Sequence, residues 1–107
     1  MSNASRSHVI LASAILLAGA MSFAQTSGEA TYKAKCESCH GPDGMASSGI
    51  GKIMKVKPVT DPDVMKMTEP VMVQMVRIGM GKMQPYKGDL TDAQIKDSVD
   101  YFRTFMK

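Results

Sequence analysis

The chain contains no tryptophan, only two cysteines and only two histidines. A structural zinc ion needs four ligands, and His8 lies in the leader segment described next, so the folded domain has too few cysteine and histidine side chains for a zinc centre. The helical periods and glycine-rich segments described below leave no credible β-strand in the sequence. The sequence therefore predicts an all-α domain without structural zinc.

The amino-terminal segment has the pattern of a secretory signal peptide. An uncharged apolar run covers Val9 to Ala20, and Ser22-Phe23-Ala24 places small residues where a signal peptidase cleaves. This stretch is shorter than the ~20 apolar residues of a transmembrane helix, which favours cleavage over retention as an anchor. We expect residues 1–24 to be removed, with cleavage after Ala20 as the alternative. Residues 25–107 would then form one periplasmic domain without stable membrane insertion.

The formal net charge of the whole chain is only +3 at pH 7, which does not indicate a nucleic-acid partner. A domain of residues 25–107 buries a thin apolar core. Domains of this size usually need a disulfide, a metal or a large cofactor to be stable.

One segment, Cys36-Glu37-Ser38-Cys39-His40, brings both cysteines and the remaining histidine together. Two intervening residues let both sulfurs reach the vinyl carbons on one edge of a porphyrin, and the following histidine can then bind the iron. We interpret the segment as a c-type haem attachment site, with thioethers at Cys36 and Cys39 and His40 as the proximal ligand. A redox dithiol would need a βαβ setting that the sequence lacks. A simple disulfide is the remaining alternative.

Helical periodicity and capping signals predict three main helices. The first covers Glu29 to about Cys36. The second follows the cap residue Thr68, and the third begins at a capping box, Thr91-Asp92-Ala93-Gln94, and runs to near Met106. The positions expected to face the core are Val71, Met75 and Ile78, widened by Met72 and Val76, in the second helix, and Ile95, Val99, Phe102 and Met106 in the third.

Two irregular, glycine-rich segments separate these helices. Gly41 to Val59 shows no sustained period and is predicted to be a long loop, followed by a short helical turn from Pro62 to about Met67. Gly79 to Tyr86 is the second irregular segment. Because glycine lets the backbone approach a flat cofactor closely, the long loop is expected to wrap the haem.

The occupant of the second axial position of the iron determines whether the protein carries electrons or catalyses a reaction. The domain has no second histidine, so the soft thioether of a methionine is the expected ligand. Met80 and Met83 lie in the loop before the last helix, and Pro85 stiffens that loop next to Met83. Met83 is therefore the preferred ligand and Met80 the alternative. The methionines on helical stripes are expected in the core, namely Met72, Met75 and Met106.

Four segments spread over the domain form a recognisable set of motifs. They are Cys36 to His40 with Gly41-Pro42-Asp43-Gly44, then Gly81-Lys82-Met83-Gln84-Pro85-Tyr86-Lys87-Gly88, Leu90-Thr91-Asp92 and Tyr101-Phe102-Arg103. Together they resemble the class I cytochromes c, the small soluble monohaem cytochromes of bacteria. The resemblance implies an all-α fold of three main helices and glycine-rich loops around one covalent haem c, with the first and last helices crossing. It carries over Cys36 and Cys39 as attachment points, His40 as proximal ligand and Met83 as distal ligand, although Gln84 stands where the family commonly has proline.

The resemblance implies an electron carrier and not an enzyme, because a substrate has no place to bind when both axial positions are filled. A monomer would exchange single electrons with a redox donor and an acceptor by transient docking. A basic rim could steer an acidic partner, although a solvated lysine face is the alternative. The lysines concerned are Lys52, Lys55, Lys57, Lys82 and Lys87.

Two further functions remain open from the sequence. One is a haem enzyme or gas sensor in which the sixth ligand, Met83, is only loosely bound. The other is a scaffold or assembly protein that contains no haem and has an oxidised disulfide between Cys36 and Cys39.

Overall fold

A computed structural model of the chain describes residues 27–107. The predicted signal peptide and its cleavage sites lie outside these described residues. Between residues 27 and 107 the chain forms helices and no β-strand, so the all-α prediction is confirmed. The helices are α1 (Gly28–Lys35), α2 (Glu37–His40), α3 (Gly49–Ile53), α4 (Pro62–Met65), α5 (Glu69–Ile78) and α6 (Asp92–Arg103).

The first and last helices cross at close range, as the resemblance implies. Ser27 caps α1, because its hydroxyl oxygen accepts a hydrogen bond of 3.1 Å from the backbone N–H of Ala30. At Gly28 the backbone of α1 lies against α6, where an added Cβ atom would be 3.3 Å from the Cβ of Asp97 and closer still to its carbonyl group. Only glycine permits this approach.

An aromatic cluster lies behind this crossing. Tyr32 is 1% exposed, as expected for a core residue on α1. Its ring centroid lies 5.2 Å from that of Tyr101, 6.2 Å from Phe102 and 5.8 Å from Phe105. The Tyr32 hydroxyl donates a hydrogen bond to the carbonyl oxygen of Gly41. This bond ties α1 to the backbone that follows α2.

We expect a Tyr32→Phe variant to lower the free energy of unfolding by about 1–2 kcal/mol, because the Gly41 carbonyl group would stay buried without its donor. Burial, followed by the negative charge of neighbouring groups, raises the pKa of Tyr32, so the hydroxyl remains a donor at neutral pH. Urea unfolding at neutral pH measures the loss. Tyr101→Phe is the matched control, since its hydroxyl makes no hydrogen bond to any residue that the structure describes. Equal midpoints for the two variants would contradict the expectation.

The predicted core face of α6 is confirmed. That of α5 is confirmed for Met72 and Val76 and wrong for Val71 and Ile78. Ile95 is 0% exposed and Val99 is 3% exposed. By contrast, Val71 is 49% and Ile78 is 61% exposed, and the buried residue of α5 is Met72. Apolar side chains surround most of α5, so their period could not select the face that packs against α6. The residues packed around this core are Met67, Val73, Val76, Phe102 and Met106.

The prediction of one continuous loop from Gly41 to Val59 is also wrong, because α3 interrupts it. Ser48 caps this helix: its hydroxyl oxygen accepts a hydrogen bond from the Gly51 N–H at 3.0 Å, and the hydroxyl donates to the Ser38 carbonyl oxygen at 2.7 Å. A Cβ at Gly51 would lie 2.5 Å from the carbonyl oxygen of Cys39. The glycine that suggested a loop therefore allows α3 to pack tightly on α2.

The remaining boundaries differ from the predictions by small amounts. The fourth helix ends at Met65, and the last one ends at Arg103. Thr68 caps α5 by position but without a side-chain hydrogen bond, whereas both bonds of the capping box between Thr91 and Gln94 are present. None of the helices among the described residues is long and apolar enough to cross a bilayer.

Candidate cofactor site

A cavity of about 880 Å³ lies between the helices and the two loops. Its volume falls within the range of about 300–1,000 Å³ that is usual for small-molecule and cofactor sites. The wall contains six methionines and four lysines, but neither aspartate nor glutamate among the described residues. Such a wall suits a large, mostly apolar ligand with negative charge at its edge. The methionines are Met54, Met67, Met72, Met75, Met80 and Met83, and the lysines are Lys35, Lys55, Lys57 and Lys82.

The motif residues Cys36, Cys39 and His40 all line this cavity. Cys36 lies at the junction of α1 and α2, and its carbonyl oxygen accepts hydrogen bonds from the backbone N–H of Cys39 at 3.2 Å and of His40 at 2.9 Å. This single turn therefore presents both sulfurs and the imidazole to one space. Neither cysteine is in a disulfide.

The environment of Cys36 does not suit a redox dithiol. Burial, with Cys39 as the second cause, raises the pKa of the Cys36 thiol to about 11. Reactive dithiols of the thioredoxin kind have lowered pKa values, because the thiolate is the attacking species. A buried and uncharged thiol against an apolar cavity instead matches a side chain that is placed for attachment to an apolar group.

His40 is held in its neutral form by its surroundings. Burial lowers the pKa of the imidazole, and the neutral ring is the form that binds a metal. The Phe102 ring packs edge-on against it, with 5.5 Å between the ring centroids. Its Nδ1 is buried, and no hydrogen-bond partner for it lies among the described residues. Among the described residues, no backbone carbonyl oxygen therefore accepts a hydrogen bond from Nδ1, as one often does in a metal-binding histidine.

The loop after α5 carries the two candidate methionines. Met80 and Met83 exchange backbone hydrogen bonds, N–H of Met80 to O of Met83 at 3.1 Å and N–H of Met83 to O of Met80 at 2.9 Å. Residues paired in this way present their side chains on the same side of a turn. Both line the cavity, but Met80 is 59% exposed while Met83 is half-buried. The burial difference favours Met83 as a ligand.

Glycine fixes the path of this loop against the end of α5. Gly79 has a φ of +76°, and a Cβ there would lie 2.7 Å from the carbonyl oxygen of Met83 and 2.9 Å from the nitrogen of Pro85. The backbone N–H of Tyr86 donates to the Val76 carbonyl oxygen at 3.0 Å. The segment from Gly79 to Tyr86 is thus folded back onto α5, and these contacts fix the position of the backbone at Met83.

Sequence reasoning named Cys36, Cys39, His40 and Met83, all of which line the cavity, but missed most of the other residues of its wall. Met72 and Met75 were expected in the core, yet both line the cavity as well, and Met54 and Met67 had no assigned place. The signal for them was the high methionine content of 11 residues in a chain of 107. Methionine fills irregular apolar surfaces, so it is well suited to line a flat cofactor.

A haem fits the residues that are present. Two half-buried thiols and a neutral imidazole come from a single turn, and the opposing loop presents thioether sulfurs to the same cavity. The apolar wall matches the porphyrin face, and the lysines offer positive charge for carboxylate groups. No group of three or more histidine, cysteine or acidic side chains that could hold a bare metal ion occurs between residues 27 and 107.

The sequence comparison agrees with this fit. A family model described as cytochrome C oxidase, cbb3-type, subunit III, matches residues 23–102. No curated protein sequence matches the chain.

Solved structures share the fold. The KustC0563 c-type cytochrome is 26% identical, with a TM-score of 0.69, and the alignment covers 76% of this chain and 99% of that one. Cytochrome c6 from the diatom Phaeodactylum tricornutum is 23% identical with a TM-score of 0.56, over 74% of this chain and 90% of that one. The c-type cytochrome XoxG from Methylobacterium extorquens AM1 is 24% identical with a TM-score of 0.57, over 76% of this chain and 49% of that one. The last two show similarity of fold alone.

Proposed function

Because this chain belongs to the cytochrome c family and carries haem c, we propose that it holds the iron between His40 and Met83 and shuttles single electrons between two redox partners. Cys36 and Cys39 would supply the two thioether bonds. The observation that carries the proposal is the convergence of these four side chains on one apolar cavity.

When bound, haem c supplies an iron that cycles between the ferrous and ferric states. The residues of this chain set the conditions for that cycle. The Met83 thioether and the largely apolar wall favour the ferrous state, so we expect a fairly high reduction potential. Residues of the α1–α2 turn and of the loop after α5 line the same cavity. Met83, in its folded-back loop, would hold the iron from the side away from His40 and would keep water from that position. A filled sixth position is the reason to propose a carrier and not an enzyme.

Docking would use the rim of the cavity. Lys55 and Lys82 are exposed, line the cavity and have no carboxylate partner among the described residues, whereas Lys57 is paired with Asp63 at 2.8 Å. Ile53, next to this rim on α3, is 76% exposed. Positive charge beside an exposed apolar side chain suits brief contact with an acidic partner. We propose a periplasmic monomer that docks transiently with its donor and acceptor.

Carbon monoxide separates this carrier from a haem enzyme or gas sensor. We expect the reduced protein at neutral pH to show little or no rapid carbon monoxide binding, because Met83 occupies the sixth position. Stopped-flow absorbance after mixing the reduced protein with carbon monoxide-saturated buffer measures the rate and extent of binding. Rapid and complete binding would contradict the proposal and favour the sensor.

A further inference from the structure

The segment Gly79 to Leu90, called here the Met83 loop, is hydrogen-bonded to the end of α1 at one place. The Tyr86 hydroxyl donates a hydrogen bond of 3.0 Å to the carbonyl oxygen of Lys35 at the end of α1. Lys35 directly precedes Cys36, the first residue of the attachment motif. The bond therefore spans from the side of the proposed distal ligand to the side of the proximal one, between residues 51 positions apart.

The other hydrogen bonds of this loop stay on its own side. The N–H groups of Tyr86 and Lys87 donate to carbonyl oxygens of Val76 and Arg77 on α5, and Met80 and Met83 bond to each other. Among the described residues, no other hydrogen bond or ion pair joins residues 79–90 to α1, α2 or α3. The Met83 loop could thus open away from α1 by losing this one hydrogen bond, while α5 stays packed against α6.

Tyr86 is also placed to act on the site. Its side chain is half-buried and lines the same cavity as Met83, three residues before it in the chain. Pro85, between them, limits the backbone freedom that could separate the two movements. A hydrogen bond that fixes the position of Tyr86 therefore also restricts the movement of Met83.

We propose that Tyr86 is a positioning residue that latches the Met83 loop shut through the Lys35 carbonyl oxygen and so controls how readily the sixth iron position opens. The inference rests on the proposed function, since it assigns a role to Tyr86 only if Met83 is the distal ligand. The hydrogen bond from Tyr86 to Lys35 would then decide whether the sixth iron position stays closed, as in an electron carrier, or opens to small ligands.

Tyr86→Phe tests the latch, because it keeps the ring in the cavity wall and removes only the hydroxyl. Imidazole is the probe, since it binds ferric iron when the thioether leaves. A net hydrogen bond corresponds to a change of about twofold to tenfold in an equilibrium constant. We expect Tyr86→Phe to raise the apparent imidazole affinity of the ferric holoprotein by that factor. The binding rate at saturating imidazole, which is set by loop opening, should rise as well.

Tyr101→Phe is the matched control. Tyr101 is also half-buried, and its hydroxyl makes no hydrogen bond to any described residue, so the imidazole affinity of this variant should match that of the wild type. Unfolding midpoints of both variants are measured alongside. Should Tyr86→Phe lower the midpoint while its imidazole affinity and saturating rate stay at the wild-type values, the hydroxyl is structural and the latch is refuted. A wild type that lacks the thioether charge-transfer band would instead refute the proposed ligand.

Discussion

A Gly28→Ala variant should unfold at a temperature roughly 10–20 °C below that of the wild type. The added methyl group would meet the carbonyl group of Asp97 on α6, at 2.7 Å from the carbonyl carbon. Backbone cannot move aside as a flexible side chain can, so α1 and α6 must separate. We expect a loss of about 3 kcal/mol in the free energy of unfolding, at the upper end for an overpacked site. Thermal unfolding followed by circular dichroism measures it.

Gly49→Ala provides the control for this prediction. Gly49 is the first residue of α3, and an added Cβ would have no neighbouring atom within 4 Å. Alanine has the higher helix propensity, so this variant should be as stable as the wild type or slightly more so. If the two variants unfolded within about 2 °C of each other, the close crossing of α1 and α6 would not support the fold as described.

The second large effect concerns the sixth ligand of the iron. Met83→Ala should abolish the thioether charge-transfer band of the ferric protein completely, and the reduced variant should bind carbon monoxide rapidly. Met80, the other methionine of the loop, is 59% exposed, so we do not expect its thioether to take the place of that of Met83. The reduction potential should fall, because water or a nitrogen ligand favours the ferrous state less than a thioether does.

Met80→Ala is the natural comparison, since the two side chains leave the same turn toward the same cavity. Met80 is 59% exposed, so its removal should leave the band and the resistance to carbon monoxide unchanged. The reverse pattern, with the band lost in Met80→Ala and kept in Met83→Ala, would transfer the ligand role to Met80.

The parts of the fold that the sequence predicted are those that depend on neighbouring residues. The grouping of Cys36, Cys39 and His40 follows from five consecutive residues, although the short helix α2 that carries the last two of them was not predicted. The start of α6 follows from a capping box that satisfies two backbone groups between Thr91 and Gln94. The interactions that produce each of these features lie within the segment itself, so the sequence alone was sufficient to predict them.

The parts that were wrong depend on contacts between distant segments. Gly51 indicates a loop by propensity, but the contact with the Cys39 carbonyl oxygen makes it the residue that lets α3 form against α2. Val71 and Ile78 share a helical period with Met75, yet only the side of the predicted stripe that contains Met72 and Val76 packs in the core. The Tyr86 to Lys35 bond joins residues 51 positions apart, and no local pattern predicts it.

The measurement that tests the account most directly is near-infrared magnetic circular dichroism of the ferric wild-type holoprotein. A low-spin spectrum with the charge-transfer band of one imidazole and one thioether is the predicted result, with His40 and Met83 on opposite faces of the haem. A high-spin spectrum, or one typical of two nitrogen ligands, would mean that the cavity does not close around the iron in the proposed way.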